Sequence, residues 1–271
     1  MRARIIITIA ILSVSTAQAY QGGQPTVDDI LKKVSDTYQN LKSCRFVAAS
    51  ESQVAASEED AATSRDVGGN DQSRNYGGQE LMTSQIELAA VNPSKFRLKV
   101  KDVHRGQVTL GSELQVLSDG QTTWSYLPWQ KEYTENSGPL SAILDAPAAN
   151  AQEARTIRQY WNLLVGRFRN LAQFSATAKL GKPSRISIGG HKIECFSIKL
   201  QTEGTTDEMW VDKDRFIVWR LKQMPKGSEP GSAITVNLTE AEMNSVLDDG
   251  LFRFTPPENA RKVAALKWGR K

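Results

Sequence analysis

The chain has 271 residues, 34 Lys and Arg against 30 Asp and Glu, and a formal charge of only +4. Charge that small and that evenly mixed gives no electrostatic footprint for nucleic acid. With two cysteines and two histidines, the composition also lacks a cysteine-dense scaffold or a structural zinc set.

The first residues read as an export signal. Arg2 and Arg4 make a short basic start, and Ile5 to Val14 is apolar apart from Thr8 and Ser13. Ala17-Gln18-Ala19 is a small-x-small cleavage site. This order is a secretory signal peptide over 1–19, cleaved after Ala19. The apolar run is too short to span a bilayer, which takes about 20 residues. The expected location is the periplasm, with 20–271 as a single domain.

Thr26 is placed to cap a helix over 26–42, with Asp29 in capping-box position. Val27, Ile30, Leu31, Val34, Tyr38 and Leu41 follow helical spacing. A strand is expected over 44–50. Residues 51–78 are rich in Ser, Glu, Asp, Gly and Asn, and read as a long loop. From Glu80 to Thr134 the period is two. Phe96, Leu98 and Val100 alternate with Lys95, Arg97, Lys99 and Lys101, as a strand with one dry face requires. Asn92-Pro93-Ser94 is a turn before it, and Asp119-Gly120 is a hairpin turn. Trp124 and Tyr126 share one face of the next strand, and 130–135 pairs back.

Residues 139–166 break the pattern around Pro139 and Pro147, and Ala151 to Val165 is helix-compatible. Strands are expected again near 168–179, 184–189, 192–201, 206–212, 215–223, 232–239 and 252–255. About twelve strands joined by short turns favour antiparallel pairing. In 215–221, Phe216 and Val218 are expected to point one way and Ile217, Trp219 and Leu221 the other, so both faces of that sheet need cover.

Catalytic sets are missing from the sequence. His104 and His191 have no second ligand at metal spacing, and no GxSxG elbow occurs. Glu58-Glu59-Asp60 and Asp248-Asp249 suit solvated loops. The expectation is a protein that is not an enzyme and has no cofactor. In an oxidising compartment two cysteines commonly pair, so a Cys44–Cys195 disulfide is expected; two buried thiols are the alternative.

Several segments resemble one family. Ser118 to Thr134, SDGQTTWSYLPWQKEYT, looks like a strand-turn-strand of the outer-membrane lipoprotein carrier (LolA-like) family. Asn92-Pro93-Ser94-Lys95-Phe96-Arg97 is similar to its Arg-Pro-x-x-F segment, and Phe252 to Pro257 to its F-x-F-x-P-P close. Trp210-Val211-Asp212 resembles a turn of broader relatives. The resemblance implies an incomplete antiparallel β-barrel of about eleven strands closed by helices, with insertions near 51–78 and 139–190. It also implies a monomer that carries lipoprotein acyl chains, or another lipid, in an apolar cavity. The alternative is a sensor or interaction protein of the envelope that meets a membrane protein. The chain departs from the carriers at Asn92, where they hold Arg, and in its length and cysteine pair.

On this reading the ligand-binding wall is Phe96, Leu98, Val100, Trp124 and Tyr126, with Ile217 and Trp219 from the later strands. Trp161 and Leu164 come from the lid over 151–165. The expected interior is oily and larger than the chain itself can fill.

Overall fold

The computed structural model describes residues 25–54, 80–91, 94–104, 107–141, 151–227 and 232–267. The signal peptide, Glu58-Glu59-Asp60, Asn92-Pro93, Pro147 and nearly all of the expected 51–78 loop lie outside the described residues.

The chain begins with α1 (Val27–Gln39), followed by β1 (Ser43–Val54), β2 (Glu80–Val91), β3 (Lys95–His104), β4 (Gln107–Ser118), β5 (Thr122–Leu127) and β6 (Glu132–Ser137). Then come α2 (Ala151–Leu164) and a 3-10 segment, Gly166–Thr177. The second run is β7 (Lys179–Leu180), β8 (Ser184–Ile188), β9 (His191–Gln201), β10 (Thr205–Asp212), β11 (Val218–Pro225) and β12 (Ile234–Met243). A 3-10 turn, Asp249–Phe252, and β13 (Arg261–Lys262) close the described chain.

All thirteen strands belong to one sheet, in the order β13-β6-β5-β4-β3-β2-β1-β12-β11-β10-β9-β7, with β8 also paired to β9. β2 to β6 and β9 to β12 each form an antiparallel meander, as their short connections dictate. The halves join where β1 pairs with β12, Cys44 opposite Met243 and Ser52 opposite Ile234. Among the described strands, only β13 against β6 is parallel. The two ends of the order do not pair, so the sheet is an open, incomplete barrel.

Register stacks the apolar residues in rows across the concave face. Cys44 faces Ala90, which faces Phe96. Phe46, Leu88, Leu98 and Val116 form the next row, and Ala48, Ile86, Val100 and Leu114 the third. Because strand side chains alternate, one register puts every member of a row on the same side. Irregularities at Val47/Ala48, Lys101/Val103 and Trp210/Val211 sharpen the bend, as bulges do.

The helices fill this hollow. Thr26 Oγ1 accepts from the Asp29 backbone N–H, and the Asp29 carboxylate accepts from Thr26, so α1 starts on the expected capping box. Ile30, Leu31, Val34 and Tyr38 are each 0% exposed. Burying four such side chains contributes roughly 6–12 kcal/mol as an upper estimate. The Tyr38 ring lies 4.9 Å from Phe168 and 6.4 Å from Phe46, and its hydroxyl accepts from the Val218 backbone N–H at 3.2 Å.

Three expected strands differ. Residues 168–179 are mostly the 3-10 segment; Phe168, Leu171 and Phe174 recur every third residue, which is the 3-10 repeat and not the strand repeat. Phe216 has φ +55° and sits in the turn before β11, so it does not share a strand face with Val218. Phe252 ends the 3-10 turn, and residues 253–255 after it form no strand.

The expected disulfide is absent: Cys44 and Cys195 are both free and buried. Cys44 lies on β1 and Cys195 on β9, with β12, β11 and β10 between them. Four strand steps of about 4.8 Å separate the strands by roughly 19 Å along the sheet. A disulfide needs Cα atoms within about 7 Å.

Candidate functional site

One end of the barrel keeps an opening. The start of β1, the end of β2 and the start of β3 meet there, and α2 lies over them. Between them is a cavity of about 250 Å³. Cys44, Ala90 and Phe96 form its floor; Ile157, Trp161 and Val165 form its roof. The Phe96 and Trp161 rings are 6.0 Å apart and tilted by 59°. Ser43, Ser94 and Ser141 add short polar groups.

Local structure explains how the walls meet. Gly120 closes the β4–β5 turn with φ +97°, and a Cβ there would come within 2.9 Å of the Ser94 Cβ. The turn is tied by Asp119 Oδ1, which accepts from the backbone N–H of Gln121 and of Thr122 at 2.8 Å. Gly166 lets the chain pass under α2: a Cβ there would meet Trp161 Cδ1 at 3.0 Å. Trp161 therefore holds its position against the cavity partly because residue 166 has no side chain.

At its N-terminal end α2 is anchored by Glu153, 1% exposed, whose carboxylate accepts from Ser125 Oγ of β5. Burial pushes the Glu153 carboxyl above its ordinary value, and the Ser125 hydrogen bond offsets part of that. Ala154, Ile157 and Leu164 are buried at helical spacing after it, and Leu163 is buried as well.

Four charged side chains line the cavity, and all are cationic: Lys42, Lys95, Arg158 and Arg169. Lys95 Nζ pairs with Asp249 Oδ1 at 2.5 Å. The Arg169 guanidinium carbon is 5.4 Å from the centre of the Trp161 ring. Its Nε is buried with no hydrogen-bond partner among the described residues. The Cys44 thiol is pushed up to about 12 by burial, with Arg169 pulling the other way.

Of the residues singled out in the sequence, Phe96 and Trp161 meet at this cavity. Leu98, Val100 and Leu164 lie in the packed core behind it. Trp124 and Tyr126 are on the other face of the sheet. They share it with Tyr133, and all three pack on Phe254, at 6.1, 5.9 and 5.4 Å between ring centres. Register explains this: Leu117, and not inward Val116, is the cross-strand partner of Trp124. Ile217 and Trp219 are buried in the C-terminal half. Trp219 Nε1 donates to Asp212 Oδ2 at 3.0 Å, and the backbone N–H groups of Asp214 and Arg215 donate to Asp212 Oδ1. Burial raises the Asp212 carboxyl, but these donors and the Arg215 charge outweigh it and hold the group below its ordinary value. The Trp210-Val211-Asp212 motif is thus a turn lock. The four cations were not singled out in the sequence; Lys42 and Lys95 reach Arg158 and Arg169 only through the fold.

The hollow is smaller than expected, because α1 and α2 occupy most of it. Drug-sized sites run to about 300–1,000 Å³. A second space of about 250 Å³ lies between the 3-10 segment and β9–β10. It is bordered by the Arg167–Asp207 ion pair, 3.1 Å, in which the Asp207 side chain is 3% exposed. Thr205 Oγ1 donates to Asp207 at 2.8 Å. That space is a polar-sided gap. The cavity under α2 joins an apolar wall to a rim of cations.

No described helix is long and apolar enough to cross a membrane. No curated protein matches the sequence. Among solved structures, the chain is similar to one from the Pseudomonas aeruginosa MucA/MucB complex, at 10% identity and TM-score 0.40, over 84% of this chain and 60% of that one. It therefore spans about three fifths of that protein. It is also similar to a protein described as an outer membrane lipoprotein-sorting domain from Vibrio parahaemolyticus, at 10% identity and TM-score 0.32, over 83% and 95%. A DUF1329 family protein from Desulfovibrio piger is similar at 12% identity and TM-score 0.30, over 85% and 98%. The family model that matches is DUF2092, described as predicted periplasmic protein, over residues 67–266. With that model covering well over half of its length, the chain belongs to the DUF2092 family of predicted periplasmic proteins.

Proposed function

We propose that this chain is exported through a signal peptide cleaved after Ala19 and works in the periplasm as a binding protein for lipid or lipoprotein hydrocarbon. It is a binder and not an enzyme. The observation that carries this reading is the cavity of about 250 Å³ between Phe96, Ile157 and Trp161 at the open end of the barrel. A methylene is about the size of a water molecule, whose share of liquid volume is roughly 30 Å³. The space then takes about eight methylenes with α2 in place. At about 0.8 kcal/mol each, their burial contributes roughly 6 kcal/mol gross. A full-length acyl chain needs α2 to move, and the buried Ala154, Ile157 and Leu164 oppose that movement. Release of cargo is then assisted by the helix returning to its seat.

The same geometry supports a second reading, in which cargo that lifts α2 exposes a new surface to a membrane partner in the envelope. The test is native mass spectrometry of protein purified from the periplasm of a diderm host, alongside transfer assays with an acylated lipoprotein. Bound acyl mass and transfer support carriage. Bound mass without transfer, together with capture of one membrane protein, supports sensing. Protein that is always ligand-free and takes up no acyl compound sinks both.

A further inference from the structure

Helix α2 is seated on a buried carboxyl group with neutral surroundings. Glu153 lies in the first turn of α2, is buried, and reaches the concave face of β5 and β6. Ser125, buried on β5, donates to it. Thr134, buried on β6 directly opposite Ser125, has a hydroxyl with no partner among the described residues. Cross-strand neighbours stand about 5 Å apart, so a turn of the Thr134 side chain offers its oxygen to a protonated carboxyl. The charged and titratable groups nearby are turned away or occupied. Tyr126 alternates to the opposite face of β5, and Tyr133 and Glu135 to that of β6. Glu132 shares the face of Thr134 but pairs with Arg261. Arg155 and Arg158, on α2 itself, are exposed.

An ionised carboxylate sealed from water with one neutral donor and no cation is costly to bury. The helix N-terminus favours its charge, by less than complete burial opposes it. Burial raises the Glu153 carboxyl, and the Ser125 hydrogen bond offsets only part of that. Lifted from the two strands, the same group meets water and ionises as an ordinary glutamate. Tyr160, the other acid of α2 packed against the core, is pushed further up by burial and by Asp102, so it keeps its proton across neutral pH.

We infer that α2 is a proton-linked lid: it seats on β5 and β6 with Glu153 neutral, and loss of that proton to water lets it lift. The seated helix holds the proton more firmly than the lifted one, so seating is strongest in acid and weakens as pH rises. The coupling belongs to the helix and not to a cargo, so it stands or falls independently of hydrocarbon binding.

Hydrogen–deuterium exchange of the mature chain, corrected for the intrinsic pH dependence of exchange, tests this. Protection of α2 is expected to fall about tenfold between about pH 5 and about pH 8, while α1 keeps its protection. Glu153→Gln is expected to hold the protection of α2 flat across that range. Ser125→Ala, which takes a donor from the carboxylate, is expected to deepen the fall. Constant protection of α2 in the wild-type chain overturns the proposal. A fall that α1 shares overturns it too, because the proton then belongs to unfolding of the whole barrel. So does a fall that Glu153→Gln leaves intact, or a Ser125→Ala profile identical to that of the wild type.

Discussion

The two helices that enter the barrel do so on different terms. Ile30, Leu31, Val34 and Tyr38 of α1's stripe are sealed, and polar side chains of the helix bond to the 3-10 segment. Ser35 Oγ accepts from the Ala172 backbone N–H at 3.1 Å, and Gln39 Nε2 donates to the Arg169 carbonyl at 2.5 Å. Tyr38 reaches through the core to Val218. Helix α2 also buries residues, but it leaves a void beside Trp161 and unmet polar atoms near both ends. Thr134 Oγ1, on the cross-strand neighbour of Ser125, lacks a partner among the described residues, and so does Arg169 Nε. Its anchor, Glu153, is a carboxylate that burial penalises. The contrast teaches that the two helices fill the barrel unequally: α1 is a plug, and α2 is a seat that leaves room.

The largest expected effect is on the plug. Tyr38→Ala removes a fully buried ring and orphans the Val218 N–H, and is expected to destabilise by about 4 kcal/mol in urea unfolding. Ile157→Ala on α2 is expected to cost about 2 kcal/mol, the low end for such truncations, because the site already borders a void. The same variant widens the cavity and is expected to take a longer acyl chain, read as bound mass by native mass spectrometry. If Ile157→Ala proves the more damaging of the two, the division between plug and seat is wrong.

Glu153→Gln sharpens the contrast in the opposite direction. It keeps an acceptor for Ser125 and removes a buried charge, so it is expected to stabilise by on the order of 1 kcal/mol near pH 7. The sign follows from linkage. Glu153 holds its proton more firmly folded than unfolded, so its contribution to stability is fully present below the ordinary glutamate value. That contribution is lost as pH rises through the elevated folded value. Thermal melts across that range should slope downward for the wild-type chain and flatten in the variant. A variant less stable than wild type at pH 7 makes Glu153 a net support for α2. The smallest effect expected is none at all: with Cys44 and Cys195 free, reductant should leave both the intact mass and the unfolding midpoint unchanged. A midpoint that falls on reduction would mean that the two strands approach each other in solution.

Much of the fold could be read from the residues because much of it is local. The capping box of Thr26 and Asp29 and the stripe from Ile30 to Tyr38 specify α1 within one segment. Alternation from Phe96 to Val100 specifies β3, and the Asp119-Gly120 pair specifies the turn that the structure contains. Where a local pattern was ambiguous, the reading failed. Phe168, Leu171 and Phe174 are apolar and closely spaced, and only their period of three separates a 3-10 segment from a strand. Half the aromatic wall went to the wrong face for a different reason. Trp124 and Tyr126 do share a face, but periodicity cannot say which face of the sheet is the concave one.

By itself the sequence determined the buried stripe of α1, the antiparallel pairing of strands joined by short turns, and the two-residue alternation along strands such as β3, because those depend on residues a few positions apart. Only the tertiary structure decided that Cys44 and Cys195 stand four strands apart, that Phe254 closes on Trp124, and that Lys42, Lys95, Arg158 and Arg169 surround one cavity. These outcomes depend on strand order and register, set by packing between segments a hundred or more residues apart, and no local spacing encodes them.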